Sequence, residues 1–90
     1  MDITWDPSKA ASNIRLHRVS FEEAQTALYD PFALTREDDD AQDERRFVTL
    51  GRAASGRLLV VVYTYRDETI RLISAWKATA VQRRRYEQQL

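Results

Sequence analysis

Hydrophobic positions change rhythm once along this chain. Up to about residue 30 they recur at helical spacing; after residue 45 they fall in short dense blocks separated by polar turns. Ile3-Thr4-Trp5 is a short β-prone run. Asp6-Pro7 then reads as a helix start, because Asp accepts free amide hydrogens and Pro has none to satisfy. This helix is expected over 7–17, with Ala10, Ala11, Ile14 and His17 on one face. Ser20 and Glu23 have capping-box spacing, and Val19 with Ala24 can form a hydrophobic staple. A second helix over 20–29 presents Phe21, Ala24, Ala27 and Leu28, and Asp30-Pro31 ends it.

The second rhythm predicts strands. Phe32 to Arg36 can form one, and the acidic stretch 37–44 reads as a long exposed turn. Arg46 to Ala53 and Arg57 to Tyr65 follow, separated by Ala54-Ser55-Gly56. The latter strand is the most apolar, so Val60 to Tyr63 should be central in the sheet. Arg66-Asp67-Glu68 turns the chain, and Thr69 to Trp76 returns it. A last helix over 78–88 would turn Val81 and Tyr86 to the sheet and Arg83 and Arg84 to solvent. The order β-α-α-β-β-β-β-α predicts a single α+β domain with a mainly antiparallel sheet. Trp5, Phe21, Leu28, Phe47 and Val61 are its expected core.

Charge sharpens this picture. The formal net charge is zero, yet residues 1–50 carry six Lys/Arg against eleven Asp/Glu, and residues 51–90 carry eight against three. Twelve of the fourteen cationic residues are Arg, whose planar fork of donors fits phosphate or carboxylate. A basic half points to an anionic partner such as RNA or an acidic protein surface, or to a solvated face with local ion pairs. With no cysteine, disulfides and thiolate metal sites are excluded. No apolar run reaches the roughly 20 residues that span a bilayer, and Met1-Asp2 does not open a secretory signal. A cytoplasmic protein is the expectation.

Candidate chemistry follows from the basic half. His17, the only histidine, can act as an acid, a base or a phosphate contact near neutral pH, or simply bond a loose helix-end carbonyl. Strict alternation would put Arg71, Ile73, Ala75 and Lys77 on one face of the last strand, and Ile70, Leu72, Ser74 and Trp76 on the other. Metal-free phosphodiester cleavage needs a proton acceptor for the 2′-hydroxyl, cations around the crowded phosphate, and a proton for the leaving oxygen. His17 with Arg66, Arg71 and Lys77 could supply these; the alternative is an amphipathic strand with a polar outer face. Tyr63, Tyr65, Trp76 and Tyr86 could stack on unpaired bases or fill a small core. Arg83-Arg84-Arg85 is a solvated helix face or a contact for a partner's carboxylates. There is no Gly-rich phosphate loop, no nucleophile elbow and no zinc or calcium spacing.

Several segments, in order, resemble the BrnT family of type II toxins. They are Trp5 to Asn13, His17 with Val19 to Ala24, Asp30-Pro31, Arg46 to Arg52, Leu59 to Thr64, and Arg71 to Ala75 with Ala78-Thr79 and Tyr86. The resemblance implies a compact RelE-like fold: an antiparallel sheet packed with two N-terminal helices and a C-terminal helix. It implies an endoribonuclease that needs no metal or other cofactor. It also implies a BrnA-like antitoxin with a ribbon-helix-helix end, bound as a hetero-oligomer, through which DNA is contacted only indirectly. Lys9, His17, Arg71 and Tyr86 stand where the family has like residues, as does the stretch Arg83 to Arg85. Catalytic roles are thereby expected for His17, Arg71 and Lys77. RNA binding is expected for Lys9, Arg66, Tyr63, Trp76, Arg83, Arg84 and Tyr86.

Four positions depart from that family pattern. Leu16 and Arg18 flank the histidine where Lys and Gly are usual, and Trp76-Lys77 stands where an Arg pair is usual. Lys77 keeps a charge without the bidentate fork, and Trp76 keeps none. The two readings are therefore an RNA-cleaving toxin and a toxin-like scaffold that has lost cleavage and serves as an antitoxin-binding or operon-regulating partner.

Overall fold

The structure, a computed structural model, describes residues 2–90. Its elements are β1 Asp2–Thr4, α1 Pro7–His17, α2 Phe21–Ala27, β2 Leu34–Asp38, β3 Arg46–Arg52, β4 Leu58–Arg66, β5 Thr69–Lys77 and α3 Ala80–Gln88. The five strands form one sheet in the order β1-β5-β4-β3-β2. β1 runs parallel to β5, and every other pair is antiparallel. The apolar β4 lies at the centre, as its composition predicts. The α+β expectation holds, with three helices and a mainly antiparallel sheet.

Helices α1 and α2 lie on one side of the sheet. Asp6 caps α1, accepting from the amides of Ser8 at 2.7 Å and Lys9 at 3.4 Å. Phe21, Ala24 and Ala27 of α2 meet Leu59, Val61, Tyr63, Ile70, Leu72 and Ala75 in the main core, with Trp5, Leu28 and Phe47 packed against it. The five expected core residues thus share one cluster. Gly51 lets α2 approach β3: a Cβ there would meet the Ala27 carbonyl oxygen at 2.5 Å.

Local signals and observed structure part in four places. The buried residue of α1 is Asn13, whereas Ile14 is 46% exposed. Ser20 accepts from the Glu23 amide at 3.0 Å, but the Glu23 carboxylate does not return to complete a capping box. It binds Arg57 and Ser55 instead, tying α2 to the start of β4. β2 runs on to Asp38, past the expected end at Arg36. Acidic residues are tolerated there because the strand is an edge and Arg45 holds Glu37 in a two-pronged bond of 2.8 and 3.0 Å. Finally, α3 starts at Ala80 under a complete Thr79–Gln82 capping box. That phase buries Tyr86 and leaves Val81 63% exposed, so the expected apolar face was half right.

Candidate functional site

The pairing register sets the chemistry of the sheet's other side. Asp38, Arg46, Thr64, Arg71 and Thr4 occupy one row across the five strands. Arg36, Val48, Val62 and Ser74 form the next row, and Leu34, Leu50, Val60 and Trp76 the one after. Successive rows lie about 7 Å apart, the rise of two residues. Among the described residues, α3 is the helix packed on this side, and it covers the third row: Tyr86 joins Leu50, Leu58 and Val60, with Leu34, Val48, Trp76 and Ala78 around them. The first two rows have no helix over them.

This uncovered half is rich in arginine. Arg46 and Arg71 flank Thr64, about 10 Å apart at their backbones, two strand spacings. Arg66 follows Thr64 by two residues on the same face. Among the described residues, the ion pairs are Arg45–Glu37 and Arg57–Glu23, so Arg36, Arg46, Arg66 and Arg71 hold no carboxylate within salt-bridge distance. The Nε of Arg46 is buried and lacks a hydrogen-bond partner. Val62 and Thr64 are nonetheless buried, shielded by the long side chains around them. Thr64 is fixed by donating from Oγ1 to the Arg45 carbonyl at 2.6 Å. The arrangement is a cationic face with Val62 and Thr64 beneath its arginines. It can bind a phosphodiester and stabilise added negative charge on it.

A bulge in β5 decides which residues reach this face. Tyr63 pairs with Leu72 and Val62 with Ser74, so Ile73 has no partner and alternation slips there. Arg71, Ser74 and Trp76 therefore face the α3 side of the sheet, while Ile70, Leu72, Ala75 and Lys77 face the α1 and α2 side. This corrects the single face that strict alternation gave to Arg71 and Lys77. The two are also six residues apart along the strand, roughly 20 Å.

His17 belongs to the Lys77 end. α1 runs alongside β5 in the same direction: its start is near Arg71, Asn13 bonds Ala75, and the His17 ring lies 5.9 Å from the Trp76 ring. The Asp6 carboxyl is held below its ordinary value, chiefly by the amide and hydroxyl of Ser8 and the amide of Lys9, with a smaller contribution from the Arg71 charge. Lys9, in the first turn of α1, lies at that same end. The chain thus builds two clusters, Arg71 with Arg46 and Arg66, and His17 with Trp76 and Lys77. It does not gather His17, Arg71 and Lys77 into one centre.

These elements now have a known counterpart. The family model described as the ribonuclease toxin BrnT of type II toxin–antitoxin systems matches residues 5–81. The chain belongs to the BrnT family. It is accordingly a member of a family of ribonuclease toxins, and its type II toxin–antitoxin setting implies an antitoxin partner. The fold agrees: the 1.1 Å crystal structure of the Brucella abortus ribonuclease toxin BrnT is similar, with a TM-score of 0.64 and 22% identity, covering 88% of this chain and 97% of that one. No curated protein matches the sequence.

Within this BrnT chain, two aromatic candidates are turned inward. Tyr63 is 5% exposed, and its hydroxyl is 2.9 Å from Thr49 Oγ1. Tyr86 is 2% exposed and donates to Asp30 at 2.5 Å, with the Arg52 guanidinium over its ring. Both rings are therefore core residues, not stacking platforms, which corrects their expected contact with bases. Burial raises the Tyr86 hydroxyl above its ordinary value, and its bond to Asp30 adds to this. Burial also opposes ionisation of Asp30, but donations from Tyr86 and the amides of Arg52 and Phe32 outweigh it and keep the carboxyl low. Trp76 is half-buried beside α3, and Arg83 and Arg84 are exposed.

Arg46 and Thr64 were missed as site residues. Their signal lay in pairing rather than in any motif: both look like ordinary strand positions until the register sets them beside Arg71. Among the described residues, no three His, Cys, Asp or Glu side chains converge as a metal site would require, and no helix is long and apolar enough to cross a membrane.

Proposed function

We propose that this chain is a metal-independent endoribonuclease toxin whose reacting phosphate sits between Arg46 and Arg71. The observation that carries this reading is the uncovered row Arg46–Thr64–Arg71, arginine-rich and without ion pairs. RNA carries its own nucleophile. Attack of the 2′-hydroxyl oxygen on the adjacent phosphorus forms a cyclic phosphate and breaks the bond to the 5′-oxygen; water takes the 2′-hydroxyl proton and gives one to the departing 5′-oxygen. Two guanidinium forks stabilise the crowded phosphate in place of a metal ion. Arg66 and Lys9 extend the positive field along the backbone. His17, Trp76 and Lys77, at the far end of β5, contact a flanking nucleotide, Trp76 through its ring and Lys77 through its charge.

The antitoxin, in this reading, ends in a ribbon-helix-helix DNA-binding element and neutralises the toxin by covering its basic surface, including Arg83 and Arg84 of α3. Charge pairs there raise the encounter rate, while apolar contacts hold the complex.

The test is cleavage of an RNA substrate in EDTA by the purified wild type beside Arg71→Ala. Cleavage that survives chelation and falls in the variant supports the reading. Cleavage abolished by EDTA and restored by magnesium would reject it. A folded wild type that cuts no RNA would favour the non-cleaving scaffold.

A further inference from the structure

Beside the arginine row, a pocket of about 300 Å³ opens between the sheet and α3. Leu34, Val48 and Val60 form its apolar floor, and Arg36, Gln82 and Arg85 stand at its rim. We propose that this pocket receives one unpaired nucleobase of the RNA, with that nucleotide's phosphate held by Arg36 and Arg85. The proposal rests on the ribonuclease reading and adds a subsite that selects where the strand is cut.

Three features favour a base over other occupants. The volume lies at the small end of ligand pockets, suited to a nucleotide-sized group. The floor is a set of aliphatic side chains from two adjacent rows on neighbouring strands, a surface on which a flat ring can lie. The rim carries two guanidinium groups and no carboxylate, so an anionic ligand is favoured and a basic peptide disfavoured. Gln82 is half-buried at the edge; its Oε1 accepts from the Thr79 amide at 2.8 Å in the capping box, and its Nε2 remains a donor for the polar edge of a base. Placement agrees with this. Val48 on the floor is two residues along β3 from Arg46, about 7 Å away. A base in the pocket therefore leaves its neighbouring phosphate close to the Arg46–Arg71 row.

The occupant can be tested without assuming cleavage. Methyl NMR of the wild type would be followed while each of the four nucleoside 5′-monophosphates is added, with inorganic phosphate as control. Nucleotides should shift the Leu34, Val48 and Val60 methyls, and phosphate alone should not. Arg36→Ala and Arg85→Ala should each weaken binding roughly tenfold or more. Gln82→Trp, which fills the pocket from the exposed helix, should abolish the shifts and change the preferred cut sites. Silent methyls in the wild type would overturn the proposal, as would equal shifts with phosphate alone. If RNA is cut but the methyls stay silent, the subsite fails and the ribonuclease reading stands. If nucleotides bind but no RNA is cut, the subsite stands and the ribonuclease reading fails. Unchanged cut sites in a folded Gln82→Trp protein would deny the pocket its selective role.

Discussion

The carboxamide of Asn13 stands in for a missing strand beside Ala75. Its Nδ2 donates to the Ala75 carbonyl at 2.8 Å, and its Oδ1 accepts from the Ala75 amide at 3.1 Å. β1 pairs with β5 only from Thr69 to Arg71, so the outer edge of β5 is bare beyond that point. Asn13 caps this edge, ties it to the turn after α1 by a further bond to the Val19 carbonyl at 2.9 Å, and so fixes His17 next to Trp76.

Replacing Asn13 with Ala should therefore cost about 2–3 kcal/mol, because a buried amide and carbonyls of the edge lose partners together. Asn13→Asp should be at least as damaging, since a carboxylate cannot donate to the two carbonyls. Chemical denaturation of both variants checks this. A wild-type midpoint in either one would mean that the bare edge of β5 needs no cap.

Glu23 and Arg57 make stability depend on acid. The Glu23 carboxyl lies below its ordinary value of 4.5, mainly through the hydrogen bonds from Arg57. A lowered folded value means the contribution is fully present above that ordinary value and is lost as pH falls through the folded one. Glu23→Gln should thus melt below the wild type at neutral pH, with the gap narrowing as the pH falls below 4.5. A gap that stays constant across the titration would show that the bond geometry matters and the charge does not.

Much of this architecture was legible because local signals agreed with the final packing. Asp6-Pro7 starts α1 where composition says it should, and the valine run from Val60 to Val62 could hardly lie anywhere but the middle of the sheet. The site was less legible. Arg71 and Lys77 look like neighbours on an alternating strand, and the Ile73 bulge that separates them leaves no mark in composition. Tyr63 resembles a stacking residue until its hydroxyl is found on Thr49 in the core. Arg46 gains its meaning from Thr64, eighteen residues later in the chain, and only strand register supplies that link.

Arg18 closes α1 in a left-handed conformation, with φ 58° and ψ 34°, and its amide donates to the Ile14 carbonyl at 2.9 Å. A Cβ disfavours this backbone by about 1–2 kcal/mol, a cost that glycine avoids. Among the described residues the exposed side chain of Arg18 has no hydrogen-bond partner, and its carbonyl, which accepts from Arg57 at 3.0 Å, survives substitution. Arg18→Gly should raise the free energy of unfolding by up to about 1 kcal/mol, read from chemical denaturation, after the greater freedom of glycine in the unfolded chain is set against the relief. A destabilised Arg18→Gly protein would indicate that the arginine side chain contributes more than its backbone costs.

The sharpest test of the arginine row lies in Arg46. Its buried Nε has no hydrogen-bond partner among the described residues, so a ligand is the natural acceptor. If a phosphate lies between Arg46 and Arg71, removing either fork should lower cleavage by about 10²–10³, the range for losing a donor aimed at developing charge. Arg46→Lys should recover only part of this, because an ammonium keeps the charge but not the paired donors. His17→Ala should have a smaller effect, felt mainly in KM, since His17 sits with Trp76 at the other end of β5. Rates on one RNA substrate, measured beside melting temperatures, separate these effects from folding. If His17→Ala abolishes kcat while Arg46→Ala leaves it unchanged in a folded protein, the reacting phosphate lies at the Trp76 end and the Arg46–Arg71 assignment is wrong.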